Sequence, residues 1–156
     1  MSLNKRGKTN SGFTIIEVLI VLAIAGLILL IVFLAVPALQ RNSRNTQRRN
    51  DAANYLAAVN EWTNNNNGKV PAAAADLTGA NGVNSLAKLG ALTAPTAVVT
   101  GAQTTAVAVD NIQLVTGAKC STVTVGQTVA GPTRAIAVRF AVESSSGSPI
   151  PQCQES

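Results

Sequence analysis

Gly12-Phe13-Thr14-Ile15-Ile16-Glu17-Val18-Leu19-Ile20-Val21 opens an apolar run that reaches Ala38, and its reading decides the fold. From Val18 to Val36 every side chain is apolar or absent. At about 1.5 Å per residue, a helix from Phe13 to Ala38 is about 39 Å long. That exceeds the roughly 30 Å hydrocarbon core of a bilayer, so the run can span it with some tilt. A helix that is apolar all round suits lipid or a core of other helices, not a water-facing surface. Glu17 is the exception. A carboxylate inside a spanning segment costs about 2.5–3.5 kcal/mol at the centre of the helix, which marks it as a functional candidate.

Three readings compete for this stretch. A secretory signal peptide has a shorter apolar core with a small-residue cleavage site behind it, and Ala35-Val36-Pro37-Ala38 imitates that site poorly. A generic signal-anchor helix fits the length but leaves Glu17 and the Gly12-Phe13 junction as coincidences. The third reading rests on these features together: a basic leader, Gly12-Phe13 at the junction, Thr14, Glu17 four residues after Phe13, the Val/Leu/Ile run, Gly26 and Pro37. In these features the chain resembles the type IV prepilins, over roughly its first forty residues.

The resemblance implies a prepilin peptidase that cuts between Gly12 and Phe13 and methylates the new N-terminus at Phe13. It implies that Glu17 serves assembly by pairing with the N-terminal amine of a neighbouring subunit. Gly26 and Pro37 would bracket a helix segment able to unwind in filaments. Ten residues, Leu27 to Val36, lie between them, about one turn more than the family's common spacing.

The composition narrows the function further. The chain has 156 residues and no histidine, which removes the commonest general base and metal ligand. No P-loop, nucleophile elbow, Cys/His metal spacing or dinucleotide fingerprint occurs, so neither an enzyme nor a cofactor is expected. The formal charge of +5 falls to +2 without the leader. Removing Lys5, Arg6 and Lys8 leaves nine basic against seven acidic residues (12 − 3 = 9; 9 − 7 = 2). Arg41, Arg44, Arg48 and Arg49 follow the apolar run, so charge counting across a membrane does not fix its orientation. They read as a solvated face, or else as contacts to neighbours or lipid headgroups.

The rest of the chain divides by pattern. Residues 1–12 form the leader, 13–38 the apolar transmembrane and assembly helix, and 39–66 its amphipathic continuation. In the continuation Ala52, Tyr55, Leu56, Val59 and Trp62 recur at helical spacing. Asn64-Asn65-Asn66-Asn67-Gly68 should end the helix, and 67–103 is a loop-rich connector in which Leu86, Leu89 and Leu92 suggest a short packed helix. Residues 104–156 read as strands and a tail. Thr104–Asp110, Ile112–Thr116 and Ser121–Val125 are β-rich. Arg134–Glu143 alternates, with Ile136, Val138, Phe140 and Val142 on one face and Ala135, Ala137, Arg139 and Ala141 on the other, as in a sheet packed on one side. Ser144–Pro151 reads as a flexible segment leading to Cys153.

Cys120 and Cys153 are the two cysteines. They are either inert thiols or a disulfide tying the C-terminal tail to the sheet in an oxidising exterior. Many pilins carry a disulfide-bounded C-terminal segment, so the resemblance implies the second. It also implies the whole α+β pilin fold, a long N-terminal helix packed on a small antiparallel sheet.

The expected function is a structural one: the filament-forming subunit of a type IV pilus, processed by prepilin peptidase and polymerised through its N-terminal helix. The alternatives are a pseudopilin or minor pilin of a secretion or DNA-uptake apparatus, and a single-pass membrane-anchored extracellular binding domain. Expected partners are further copies in a helical homopolymer, prepilin peptidase, the pilus assembly machinery and the membrane before assembly, with nucleic-acid binding left open. The precursor would sit in the bacterial cytoplasmic membrane with its N-terminus inside, and the assembled product outside the cell.

Overall fold

The computed structural model describes residues 12–156, so all of the leader but Gly12 lies outside the described residues. The chain separates into two units, Met1–Ala38 and Leu39–Ser156. Helix α1, Ile15–Asn65, begins in the first and ends in the second.

In the first unit every described residue is solvent-exposed, including Ile15, Leu22, Leu30, Phe33 and Leu34. An 18-residue window here reaches a mean hydropathy of 3.4. So much uncovered aliphatic surface is stable only against lipid or other helices. Pro37 lies inside α1 and not at its end. Its missing N–H leaves the carbonyl of Phe33 without its usual helical donor.

In the second unit the helix turns one face inward, burying Asn45, Arg48, Asp51, Ala52, Tyr55, Ala58, Val59 and Trp62. The three- and four-residue steps of this series keep it on one side of the helix. Three of its members are polar or charged, and these were not legible in the apolar spacing. The solvated-face reading of the arginines fails for Arg48, which is 4% exposed, while Arg49 is exposed. The helix ends where the asparagine run predicts. Asn67 and Gly68 adopt φ of 56° and 77°, and the Gly68 N–H bonds the carbonyl of Thr63 at 2.8 Å.

Two short helices follow in the connector, α2 (Ala74–Thr78) and α3 (Val83–Leu86). Leu77, Val83 and Leu92 are buried against α1, with Leu86 and Leu89 partly so. The strands are β1 (Val98–Thr100), β2 (Gln113–Thr116), β3 (Ala118–Cys120), β4 (Thr128–Ala130), β5 (Ile136–Val142) and β6 (Ile150–Glu155). A four-stranded sheet has the order β1-β2-β5-β6, and β3 pairs β4 in a separate ribbon. The α+β class stands, a long helix on small sheets. The sheet itself is mixed, because β1 runs parallel to β2 while β2–β5 and β5–β6 are antiparallel. The long return between β1 and β2 permits the parallel pair, which no tight hairpin could make.

Three strand readings need correction. Thr104–Asp110 forms no strand; it is an irregular return whose Thr105 carbonyl accepts from Arg139. Ser121–Val125 is a turn. The Ser121 hydroxyl accepts from the N–H groups of Val123 and Thr124 at 3.2 and 3.1 Å, which draws the backbone out of the ladder. The expected flexible segment ends in β6, where Pro151 sits opposite Ala141. As an edge strand, β6 tolerates a residue that cannot donate to a second neighbour.

The alternation in β5 is real, but both of its faces are covered and all seven residues are buried. Ile136, Val138, Phe140 and Val142 join Tyr55, Val59 and Trp62 in the main core. Ala137, with Val115 and Ala118, forms a second, smaller core against Cys120 and Cys153. Those cysteines form a disulfide with Cα atoms 5.7 Å apart, linking β3 to β6. The ribbon so fastened lies over the face read from the sequence as open.

Candidate functional site

The residues singled out at the N-terminus lie where α1 starts. Thr14 is the last residue before the helix, and Glu17 falls in the first turn. The Thr14 N–H donates to Glu17 Oε2 at 2.9 Å, and the Thr14 hydroxyl donates to the same oxygen at 2.7 Å. In return the Glu17 N–H reaches Thr14 Oγ1 at 3.4 Å. This is a reciprocal capping box, which satisfies donors that the first helical turn leaves free. It also fixes the carboxylate beside the exposed Phe13. The sequence reading singled out Glu17 but missed the role of Thr14, although Thr-x-x-Glu ahead of an apolar run was the available signal.

Gly12 and Gly26 stand apart from the other glycines. Among the described residues a Cβ added at either would meet nothing within 4 Å, and neither has a positive φ. Nothing among the described residues therefore requires glycine there. Gly26 even costs the helix about 1 kcal/mol relative to alanine.

A second polar constellation, absent from the sequence reading, lies within the Leu39–Ser156 unit. Arg44 holds the Glu143 carboxylate through Nε and Nη2 at 3.0 and 2.7 Å. Arg48 meets Glu143 at 2.9 Å and Asp110 at 3.0 Å, and donates from Nε to the Val109 carbonyl at 3.1 Å. The hydrogen bonds of Arg44, aided by Arg48, push the Glu143 carboxyl down to about 2. One turn further along, Asp51 Oδ2 accepts from the N–H groups of Gly90, Ala91 and Leu92 at 3.0, 2.6 and 2.9 Å. Burial opposes its charge. Those N–H groups and the Gln47 amide outweigh burial and hold the carboxyl below its ordinary value.

Arg139 is the largest fully buried side chain among the described residues. Its Nε donates to the Gly126 carbonyl at 2.7 Å, Nη1 to Gln113 Oε1 at 2.6 Å, and Nη2 to the Thr105 carbonyl. Burial lowers its pKa from the ordinary arginine value. These groups are arranged to hold loops. None is arranged as an acid, base or nucleophile around a cleft.

Residues 7–33 match the family model described as the prokaryotic N-terminal methylation motif, the signature of type IV pilin-like prepilins. The match includes Gly12, Phe13, Thr14, Glu17 and Gly26. No curated protein and no solved structure matches the chain.

Proposed function

We propose that this chain is a structural subunit of a type IV pilus, made as a membrane-anchored precursor and polymerised through its N-terminal helix. One observation carries the reading. A segment that matches the methylation motif is also an entirely uncovered apolar helix with one carboxylate fixed at its start. In the precursor the nitrogen of Phe13 is an uncharged amide, so Glu17 has no fixed cation beside it. Cleavage after Gly12 creates an amine at Phe13, which N-methylation leaves cationic. The Glu17 carboxylate of one subunit then pairs with the Phe13 amine of a neighbour as the helices pack side by side.

The pair acts chiefly on register. Two unit charges about 4 Å apart attract by about 4 kcal/mol at an effective dielectric of 20, and desolvation offsets much of that. A helix docked out of step leaves a carboxylate unpaired among aliphatic side chains, which costs more. Gly26 lets a neighbouring helix approach or the segment before Pro37 unwind, and Gly12 fits the cleft of the peptidase.

Electron microscopy of sheared cell-surface material, with peptide mapping, tests the filament. Long filaments containing this chain are the expected result. Finding the processed chain only in the membrane or in short fibres would favour a pseudopilin or minor pilin.

A further inference from the structure

The asparagine run does more than end the helix. Asn66 Nδ2 caps the Trp62 carbonyl at 2.8 Å, and Asn67 takes the left-handed turn. Asn65 has neither task. Its exposed carboxamide lines a recess of about 380 Å³ together with Trp62, Asn66, Asn81, Ser85 and Leu86. Asn81 is likewise exposed, and neither its carboxamide nor that of Asn65 hydrogen-bonds to the described residues. Ser85 donates to the Gly82 carbonyl at 2.7 Å, so its hydroxyl oxygen is still free to accept.

The walls of this recess are fixed. One is the last turn of α1, where Trp62 is 6% exposed. The other is the turn into α3, where the Gly82 N–H bonds the Gly79 carbonyl at 2.8 Å and Val83 is fully buried. Among the described residues no ionisable side chain lines it, which argues against a phosphate or carboxylate ligand. Three carboxamides offer donors and acceptors side by side, a set that matches adjacent hydroxyls on a ring. Trp62 and Leu86 complete the lining.

We propose that this recess binds a neutral sugar, with Asn65 and Asn81 as the principal hydrogen-bonding residues. It is independent of the N-terminal helix and of whether the chain polymerises. The recess also carries its own reporter, since Trp62 is the only tryptophan in the chain.

The test titrates N-acetylglucosamine, galactose and mannose into the full chain, in a detergent without a sugar headgroup, while Trp62 emission is read. The expected result is a saturable change with at least one sugar in the millimolar range, and none with inorganic phosphate or acetate at equal ionic strength. Asn81→Ala should weaken the response about tenfold. Asn81→Asp keeps the shape of the side chain but loses its donors, and should weaken it similarly. Both positions are exposed, and unchanged circular dichroism would show that the fold persists. Emission unmoved by all three sugars up to about 100 mM would overturn the proposal, since that lies far above the range of a useful weak site. A response that survives unaltered in both variants, or appears equally with phosphate, would overturn it as well.

Discussion

Asn45 bonds both backbone groups of Glu143, a residue 98 positions away. Its Nδ2 donates to the Glu143 carbonyl at 2.8 Å, and its Oδ1 accepts from the Glu143 N–H at 2.8 Å. The side chain thus substitutes for the neighbour that β5 lacks just beyond its end, and it does so from α1. Asn45→Ala leaves a half-buried donor and acceptor unpaired and should cost about 1–2 kcal/mol. Urea unfolding of a soluble chain beginning at Arg41 would measure it. A loss below about 0.5 kcal/mol would show that water replaces the amide freely.

The same corner sets an acid limit. The folded Glu143 pKa of about 2 lies below its unfolded value near 4.5. A depressed carboxylate contributes stability above the unfolded pKa and loses it as pH falls through the folded one. Stability should therefore fall between about pH 4.5 and 2. Asp51, also depressed, adds to the loss in the same direction. In Glu143→Gln the acid slope of the urea midpoint should be shallower. An identical slope in that variant would remove Glu143 from the effect.

The disulfide should matter more than its position near the chain end suggests. It fastens the ribbon that covers Ala137 and Val115, and it closes a loop of 33 residues. On the chain-entropy model that is worth about 3–4 kcal/mol. Cys120→Ser with Cys153→Ser should lower the urea midpoint accordingly and expose the second core. Amide exchange in β3, β4 and β6 would report this by faster exchange in the variant than in the parent. Equal protection in the variant and the parent would show that the ribbon stays in place without its link.

At the N-terminus, Glu17→Val should still be inserted and cleaved, yet enter filaments poorly when it is the only subunit. Thr14→Val should loosen the first turn by about 1 kcal/mol, through loss of the cap, and lower filament yield less severely. Normal yield from Glu17→Val would take Glu17 out of assembly.

The sequence reading recovered the parts of the fold that depend on periodicity. The all-round apolar run forms an uncovered helix, while the stripe from Ala52 to Trp62 and the alternation of β5 pack into the core, and each pattern is local along the chain. It failed where burial is decided by distant backbone. Arg48, Asp51 and Arg139 look like surface charges because their partners are the Val109 carbonyl, the N–H groups of Gly90 to Leu92 and the carbonyls of Gly126 and Thr105. Backbone acceptors and donors leave no residue-type signature. Pro151 concealed β6 for a related reason, because tolerance of a proline depends on the strand lying at an edge, which is a property of the assembled sheet. The N-terminal motif was legible because it lies in short-range order along the chain.

The central claim is that Gly12-Phe13 is cut to release the assembling helix. Intact mass and N-terminal peptide analysis of the protein taken from its native cell surface tests this most directly. The account predicts a chain that begins at an N-methylated Phe13, lacks residues 1–12 and is two hydrogens lighter for the Cys120–Cys153 bond. A surface-exposed, assembled chain that still carries Met1 to Gly12 would contradict it.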